Sequence, residues 1–281
     1  MRRRFAAGVV VLLASACGTP TTPPPPPPPD PGPATAPIIR AISVPTSRVE
    51  AGQDVAITAT VDDAETPLTQ LAYQWSASAG TITGSGTVAT WTMPRGITAG
   101  VNVTITLTVV DTYNALVNNQ IVQRQFTVVG TSSAFRVHDS EAETKELARK
   151  FLIDLFGNSS ISPEDCLVDF TTVGRCARGR QLELEDIVEN RKKVVINSAR
   201  IRSQSVTIFS PQEAVVVSFA EFVDTVIATG ASGHALGDFT LTAVYDRDRW
   251  WLCESTFLPS QGYGGFYELY THRNRGRVPK K

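Results

Sequence analysis

The sequence predicts two folded domains, an all-β sandwich followed by an α+β domain with helices packed on a curved antiparallel sheet. Two patterns lead to this expectation. Residues 38–130 alternate apolar and polar side chains between turns rich in Gly, Pro, Asp and Asn, as the strands of a sandwich do. Residues 131–258 begin with apolar side chains at helical spacing and then change to a period of two, which favours helices followed by a sheet.

The chain opens with the pattern of an export signal. Arginines at positions 2–4 precede the apolar run 5–13, and small residues then lead to Cys17, the order typical of a cleaved signal peptide. The run is too short to cross a bilayer as a helix. A cysteine at this place resembles the signal of bacterial lipoproteins. The resemblance implies that residues 1–17 comprise the signal peptide and an anchor cysteine, Cys17, that carries the lipid.

The same resemblance implies that the protein is localised in the bacterial cell envelope, where the lipid holds it to a membrane. Gly18 follows Cys17, and in the lipoprotein pattern a residue other than aspartate at this position implies the outer membrane. An ordinary secretory signal, in which Cys17 is incidental, is the alternative.

Residues 18–37 are predicted to be a tether. They include the run of seven prolines Pro23–Pro29, and because proline fixes φ and lacks an N–H donor, this segment favours polyproline II. At ~3.1 Å per residue the tether would extend roughly 50 Å from the membrane. Recognition by an aromatic-lined peptide-binding module is the alternative role for such a segment.

Six strands are predicted in the sandwich, at residues 38–44, 54–61, 71–77, 87–92, 101–110 and 120–129. Three stretches, Tyr73–Ile82, Ala89–Pro94 and Leu107–Asp111, resemble the polycystic-kidney-disease (PKD) type of immunoglobulin-like domain found on bacterial surfaces. The resemblance implies an immunoglobulin-like sandwich with Trp75 as its core tryptophan on the third strand.

Two loops of this sandwich carry oxygen ligands. Asp62, Asp63 and Glu65 follow the strand 54–61, while Asp111 and Asn114 follow the strand 101–110. In an immunoglobulin-like sandwich these loops lie at the same end, and carboxylate and amide oxygens are the ligands that Ca²⁺ requires. A calcium site is therefore one interpretation, and ordinary turn residues at strand ends are the other.

The second domain begins with a predicted helix. Ser140 and Glu143 form a capping box, an apolar stripe follows at helical spacing, and Gly157 ends the helix. A short second helix opens at residues 162–164, and a third is predicted at residues 182–193. Strands are then predicted at residues 199–209, 214–226, 235–245 and 250–257.

Helices followed by a four-stranded meander, with a last hairpin at Tyr245–Leu252, resemble the cone fold shared by nuclear transport factor two, ketosteroid isomerase and the SnoaL-like proteins. In that superfamily the sheet encloses a pocket, which some members use for acid/base chemistry or ligand binding and others fill with side chains. Glu221 is the only charged residue on the apolar face of Val215, Val217, Phe219 and Val223. It is therefore either a base with a shifted pKa inside a pocket or a salt-bridged residue at the rim of the sheet. The candidate pocket residues are Glu221, Tyr245, His234 and Asp169.

Three cysteines remain if Cys17 carries lipid. Cys166 and Cys176 flank a short segment rich in turn residues, and we expect them to form a disulfide in an oxidising compartment, with Cys253 as a buried thiol. Pairing of either cysteine with Cys253, or a three-thiolate metal site, is the alternative, because spacing does not decide connectivity.

Residues 259–281 are predicted to be a flexible, aromatic and basic tail. Its cations are Arg273, Arg275, Arg277, Lys280 and Lys281. They are suited to an anionic surface polymer or an acidic protein surface, and a solvated tail without a partner is the alternative.

The formal net charge of -1 gives no basis for nucleic-acid binding. We find no catalytic motif and expect no cofactor unless calcium binds. The sequence therefore favours a non-catalytic accessory, scaffold or adhesion component that contacts another envelope protein. The rival is a tethered enzyme or small-ligand receptor that uses the cone pocket. The oligomeric state is left open.

Overall fold

A computed structural model of the protein describes Pro26, Pro29, Gly32 and residues 34–45, 48–157 and 160–270. Cys17, most of the tether and the basic tail with its five cations lie outside these residues, so the predictions made for them remain predictions. Within the described ranges, no helix combines the length and the apolar character that a membrane crossing requires.

The chain forms two compact units. The first comprises residues 1–34 and 112–125, and its described part is a hairpin. Asn118 and Asn119 form the turn, with φ values of 48° and 61°, and left-handed φ at both central residues is what a tight hairpin turn needs. Gln125 Nε2 donates to Thr112 Oγ1 across the hairpin at 3.2 Å. The second unit comprises residues 35–111 and 126–281.

The strands of residues 38–138 form three sheets. The strands of this half of the chain are β1 (Ile38–Ser43), β2 (Val49–Glu50), β3 (Asp54–Asp62), β4 (Ala72–Ala77), β5 (Thr81–Thr83), β6 (Val88–Thr92), β7 (Val101–Val103), β8 (Ile105–Val117), β9 (Gln120–Thr131) and β10 (Phe135–His138). The sheets have the orders β1-β3-β6-β5, β4-β8-β9 and β2-β10-β7. Alternate residues of β3 and β8 point inward, as the period of two predicted.

Trp91 lies at the centre of this core, where the resemblance had implied Trp75. Trp91 is 0% exposed, and its ring packs edge-on against Phe135 at 5.1 Å between centroids. Its Nε1 donates to the Ala79 carbonyl at 2.8 Å. Trp75 is half-buried at the side of the core and donates to the Gly86 carbonyl at 2.9 Å.

The rest of the second unit places two helices against one long sheet. Its elements are α1 (Ser140–Gly157), a 3-10 turn (Asp165–Leu167), α2 (Cys176–Arg191), β11 (Val194–Ser210), β12 (Glu213–Val226), β13 (Ser232–Asp246) and β14 (Arg249–Tyr263). The sheet has the order β11-β12-β13-β14, with every neighbouring pair antiparallel. A short helix at residues 265–270 ends the described part. The predicted bounds of α1 are confirmed, whereas the second predicted helix is only the 3-10 turn.

The expected fold class, an immunoglobulin-like sandwich followed by an α+β cone fold, is wrong. Of the described residues, 53% lie in strands and 18% in helices, and the strands form four sheets. This composition fits an all-β protein better than one with a separate domain of helices on a sheet. The share of residues in strands is high because β11 to β14 are 14 to 17 residues long. These strands run beyond the strands predicted from the sequence.

The predicted disulfide is also wrong. Cys176 is bonded to Cys253, 77 residues away in sequence, and Cys166 is a buried free thiol. Cys176 begins α2, and α2 packs on β14, which carries Cys253. Cys166 lies in the 3-10 turn instead, where its Sγ donates to the Asp154 carbonyl at 3.5 Å and contacts Arg191 Nη2 at 3.3 Å. Proximity in sequence did not bring Cys166 and Cys176 together.

Candidate functional site

The interior of the β11–β14 sheet, where a pocket was expected, is filled by aromatic rings. Five phenylalanines meet there, none more than 5% exposed: Phe156, Phe222, Phe239, Phe257 and Phe266. The centroid of the Phe222 ring lies 4.3 Å from that of Phe156 and 5.7 Å from that of Phe239. Edge-on and tilted packing at these distances is favourable for aromatic side chains.

Glu221 lies on the opposite face of the sheet. On β12 the buried side chains are at even positions from Ala214 to Asp224, and Glu221 is half-exposed among the odd ones. Its carboxylate accepts hydrogen bonds from Arg202 and from His234, whose Nε2 lies 3.1 Å from Oε1. These hydrogen bonds from His234 and Arg202 lower the pKa of Glu221. Because Glu221 lies on the outer face of β12, the prediction that it is a carboxylate inside the pocket is wrong.

Tyr245 is far from Glu221 along the sheet and belongs to a polar cluster that we call the junction cluster, which consists of His138, Glu143, Tyr245, Asp248 and Arg48. His138 is 0% exposed, and its Nδ1 donates to both carboxylate oxygens of Glu143 at 2.9 Å. The Tyr245 hydroxyl donates to Asp248 Oδ1 at 2.9 Å and lies 2.8 Å from His138 Nε2. The Arg48 guanidinium stacks over the Tyr245 ring at 4.0 Å.

A second group of hydrogen bonds runs beside this cluster. Glu50 on β2 accepts from the Ser140 backbone N–H at 3.0 Å and from the Ser140 hydroxyl at 2.7 Å. Trp250 Nε1 on β14 donates to the same hydroxyl at 3.2 Å. Three elements that are distant in sequence, β2, α1 and β14, therefore meet at one serine.

The local sequence explains the position of His138 and Glu143. β10 pairs with β7 in the small sheet and leads directly into α1. Asp139 precedes α1 and its Oδ1 accepts from the Ala142 N–H at 3.1 Å, while the Glu143 carboxylate accepts from the Asp139 N–H at 3.1 Å. The helix start thus uses Asp139 with Glu143, where the sequence had suggested Ser140, and the same carboxylate orients His138.

A cleft of about 320 Å³ opens next to the junction cluster. Its charged lining residues are Arg136, His138, Glu143, Glu146, Lys150, Asp169, Asp248 and Arg249. Asp169, one of the predicted pocket residues, accepts from Lys150 at 2.5 Å and from Arg249 at 2.6 Å. Burial acts to raise the pKa of Asp169, but the hydrogen bonds from these two cations outweigh it, so the pKa is lowered.

The arrangement favours structure over acid/base chemistry. Burial, followed by the hydrogen bond to Asp248, raises the pKa of Tyr245 to about 12, so its hydroxyl stays protonated at neutral pH. His138 has both ring nitrogens engaged and none of its side chain exposed. Of the four predicted residues, Asp169 lines the cleft, Tyr245 belongs to the junction cluster next to it, and Glu221 is paired with His234 elsewhere, so the four do not form one pocket.

The predicted calcium ligands have other partners. Asp62 forms an ion pair with Arg40, with 2.7 Å between Oδ2 of Asp62 and Nε of Arg40. Asp63 Oδ1 accepts from the backbone N–H groups of Glu65 and Thr66 at 2.9 and 2.6 Å, which is the geometry of a turn. Asp111 accepts from the Thr66 hydroxyl at 2.8 Å, and Asn114 lies in the separate hairpin unit. Among the described side chains, no group of three or more His, Cys, Asp or Glu is placed to hold a metal ion. The calcium site remains a prediction without structural support.

The sequence analysis did not identify His138 or Arg48 as site residues. It named Glu143 for the helix start but did not predict that Glu143 binds His138. The available signal was the order His138-Asp139-Ser140 immediately before a predicted helix, because such polar residues at a helix start must find hydrogen-bond partners. No protein-family model and no curated protein sequence matches this chain.

The hydroxyl of Tyr245 gives a direct test of the junction cluster. We expect Tyr245→Phe to lower the free energy of unfolding by about 1–2 kcal/mol, because His138, which is 0% exposed, loses a hydrogen-bond partner that water cannot replace. Tyr263 is 61% exposed, so Tyr263→Phe is the matched control and should change stability by less than about 0.5 kcal/mol. Equal effects in urea unfolding would show that the cluster contributes no stability.

Proposed function

We propose that this protein is a lipid-anchored component of the bacterial cell envelope, in the outer membrane, that acts through protein–protein contacts and has no catalytic activity. The observation that carries the proposal is the filled interior of the β11–β14 sheet. A pocket for chemistry would need an open cavity with a reactive group. Here five phenylalanines occupy that space, and Glu221 pairs with Arg202 and is hydrogen-bonded to His234 on the outer face.

The junction cluster supports a scaffold role. Together with the adjacent hydrogen bonds at Ser140, it joins β2 to α1 and to the β13–β14 hairpin: Arg48 pairs with Glu50 and stacks on Tyr245, and Glu50 accepts from Ser140. Buried polar networks that are fully hydrogen-bonded fix one arrangement of the elements they join. The second unit is thereby suited to present a surface of fixed shape.

The outer face of the β11–β14 sheet is the surface we assign to the contact. Val215, Val217 and Phe219 lie half-buried in its middle. Leu258 on β14 is 64% exposed and lies on the same face two strands from Phe219, with Asp238 of β13 between them. Apolar side chains grouped on an uncovered face mark interaction sites more often than scattered ones do. The partner is a second envelope protein, and we propose that the basic tail adds contact with an anionic surface polymer.

Photo-crosslinking in living cells tests this assignment. A photoreactive amino acid is placed at Leu258 on the outer face, or at Val88, which is 56% exposed on the sandwich, as the matched control. We expect a discrete protein adduct from position 258 and none from position 88, because a crosslinker reacts only with a neighbour in contact. Absence of an adduct at position 258, with the protein folded and at its normal level, would contradict the proposal.

A further inference from the structure

The cleft next to the junction cluster lies outside the interior of the β11–β14 sheet. It is lined from α1 by Glu143, Glu146, Leu147 and Lys150. The residues that α1 buries in the phenylalanine core are different ones, namely Ala148, Phe151, Leu152 and Phe156. Residues 98–100, between β6 and β7, form the opposite wall, and the β13–β14 hairpin adds a third. Three parts of the second unit therefore meet at this cleft.

One end of the cleft has an excess of negative charge. Asp248 Oδ2 lies 3.0 Å from Arg136 Nε, and Glu143 contributes a second carboxylate. His138 joins the two acids, because its Nδ1 donates to Glu143 at 2.9 Å and its Nε2 lies 3.5 Å from Asp248 Oδ1. Counting His138 as neutral, two carboxylates share one cation here. This end is therefore suited to an ammonium group.

The end formed by Asp169, Lys150 and Arg249 has the opposite excess. Asp169 accepts from Lys150 at 2.5 Å and from Arg249 at 2.6 Å, so two cations share one carboxylate. An ammonium has three donors and a guanidinium five, and each bond to Asp169 uses one of them. The side chains of Lys150 and Arg249 are 48% and 44% exposed. Both cations can therefore also donate to the carboxylate of a ligand.

The two ends are separated along α1. Glu143 and Lys150 are two helical turns apart on one face of the helix, which is roughly 10 Å at 1.5 Å per residue. Leu147 lies between them, half-buried, and offers an apolar surface. Glu146 is neutralised by Arg149, whose Nε and Nη2 donate to it at 2.6 and 2.5 Å. The cleft thus presents opposite charges on the two sides of an apolar stretch.

We propose that this cleft binds an elongated zwitterion, a molecule with an ammonium group at one end, a carboxylate at the other and an apolar stretch between them, such as a short peptide. The ammonium donates to Asp248, with the charge of Glu143 behind it, and the carboxylate accepts from Lys150 and Arg249. The apolar stretch packs on Leu147. The volume of about 320 Å³ is within the range of small-molecule sites. This site goes beyond the proposed function and does not depend on it.

The probe for this site is 6-aminohexanoate, whose extended chain fits within two helical turns. Hexanoate, which lacks the ammonium, and hexylamine, which lacks the carboxylate, are its controls. In isothermal titration calorimetry of the mature full-length protein, 6-aminohexanoate is expected to bind at least about tenfold more tightly than either control. The reason is that each control leaves one charged end of the cleft without its charge-assisted hydrogen bonds.

Variants at the two ends separate this site from unspecific charge attraction. Lys150→Met should weaken the binding of 6-aminohexanoate by about tenfold, because the carboxylate loses one of its two cations. Lys145→Met is the matched control on the same helix. Lys145 pairs with Glu141 at 2.7 Å and does not line the cleft, so this variant should bind as the wild type does. Asp248→Asn should remove the preference for 6-aminohexanoate over hexanoate, because the ammonium loses its acceptor charge.

The proposal is overturned if hexanoate or hexylamine binds the wild type as tightly as 6-aminohexanoate does, or if no binding is found in the millimolar range. It is equally overturned if Lys150→Met and Lys145→Met bind 6-aminohexanoate alike. Should a variant fail to fold, the comparison of the three compounds on the wild type decides alone. None of these results bears on crosslinking from position 258, so the failure of this inference is distinct from the failure of the contact function.

Discussion

Replacing Cys176 and Cys253 together by alanine will lower the free energy of unfolding by about 4.5 kcal/mol. The disulfide between them closes a loop of 77 residues, and the loss of chain entropy in the unfolded state grows with the length of the loop. The bond also fastens the start of α2 to β14, since Cys176 is the first residue of that helix. Urea unfolding of the oxidised wild type and of the double variant measures the difference.

Cys166→Ala is the matched control for this prediction. Cys166 is 3% exposed and not in a disulfide, so its replacement removes one buried sulfur atom and should cost only about 1 kcal/mol. If Cys166→Ala were as damaging as the double variant, and peptide mapping found Cys166 bonded to Cys176, the pairing first expected from the sequence would be restored and the packing of α2 described above would be wrong.

Phe222→Ala will destabilise the protein by about 3–5 kcal/mol, the cost of emptying a large buried site. Phe222 is 1% exposed and contacts four other aromatic rings. Phe219 is three residues earlier on the same strand but points to the outer face, and Phe219→Ala should cost only about 1 kcal/mol. The pair of variants therefore reports which face of β12 is inside, in one protein and with one substitution type.

A larger loss for Phe219→Ala than for Phe222→Ala in the same unfolding assay would reverse the face assignment. It would place Glu221 inside the protein and revive a pocket carboxylate. Equal losses would mean that both faces are covered, and the outer face could then not serve as a contact surface.

The face of β12 shows what a strand pattern leaves undecided. The period of two was correct, and the odd positions, with Val215, Val217 and Phe219, are the more apolar set. The inner set includes Ala214 and Ala220, both 0% exposed. Small side chains suit an inner face that a helix covers closely, and α1 packs on this strand. Alternation therefore gives two faces, but packing against a neighbour decides which one is buried.

Local signals predicted local structure well. Five of the six strands predicted in the sandwich overlap a single observed strand, and residues 101–110 divide into β7 and β8 at Thr104. The bounds of α1 were also predicted, because the polar residues and Gly157 that delimit it lie next to it in sequence, although the capping side chain is that of Asp139 and not that of Ser140. The fold class was missed because it depends on the lengths of β11 to β14, and long antiparallel pairing is set by distant partners.

The site depends on contacts that spacing does not reveal. His138 and Tyr245 are 107 residues apart, and Ser140 and Trp250 are 110 apart. The disulfide between Cys176 and Cys253 and the hydrogen bond between Asp224 and Phe266 also join residues that are distant in sequence. Sequence identified Tyr245 and Asp169 as residues with chemical potential, but only the fold shows that each is held by hydrogen bonds or ion pairs.

The proposed function depends above all on the protein being held at a membrane by lipid, and the chemical state of its first mature residue tests this most directly. Mass spectrometry of the N-terminal peptide from cell envelopes is expected to show that the chain begins at Cys17 and carries acyl groups. Cys17→Ser should abolish the acylated peptide. A mature chain that begins with an unmodified residue, or that still carries its leader, would contradict the account.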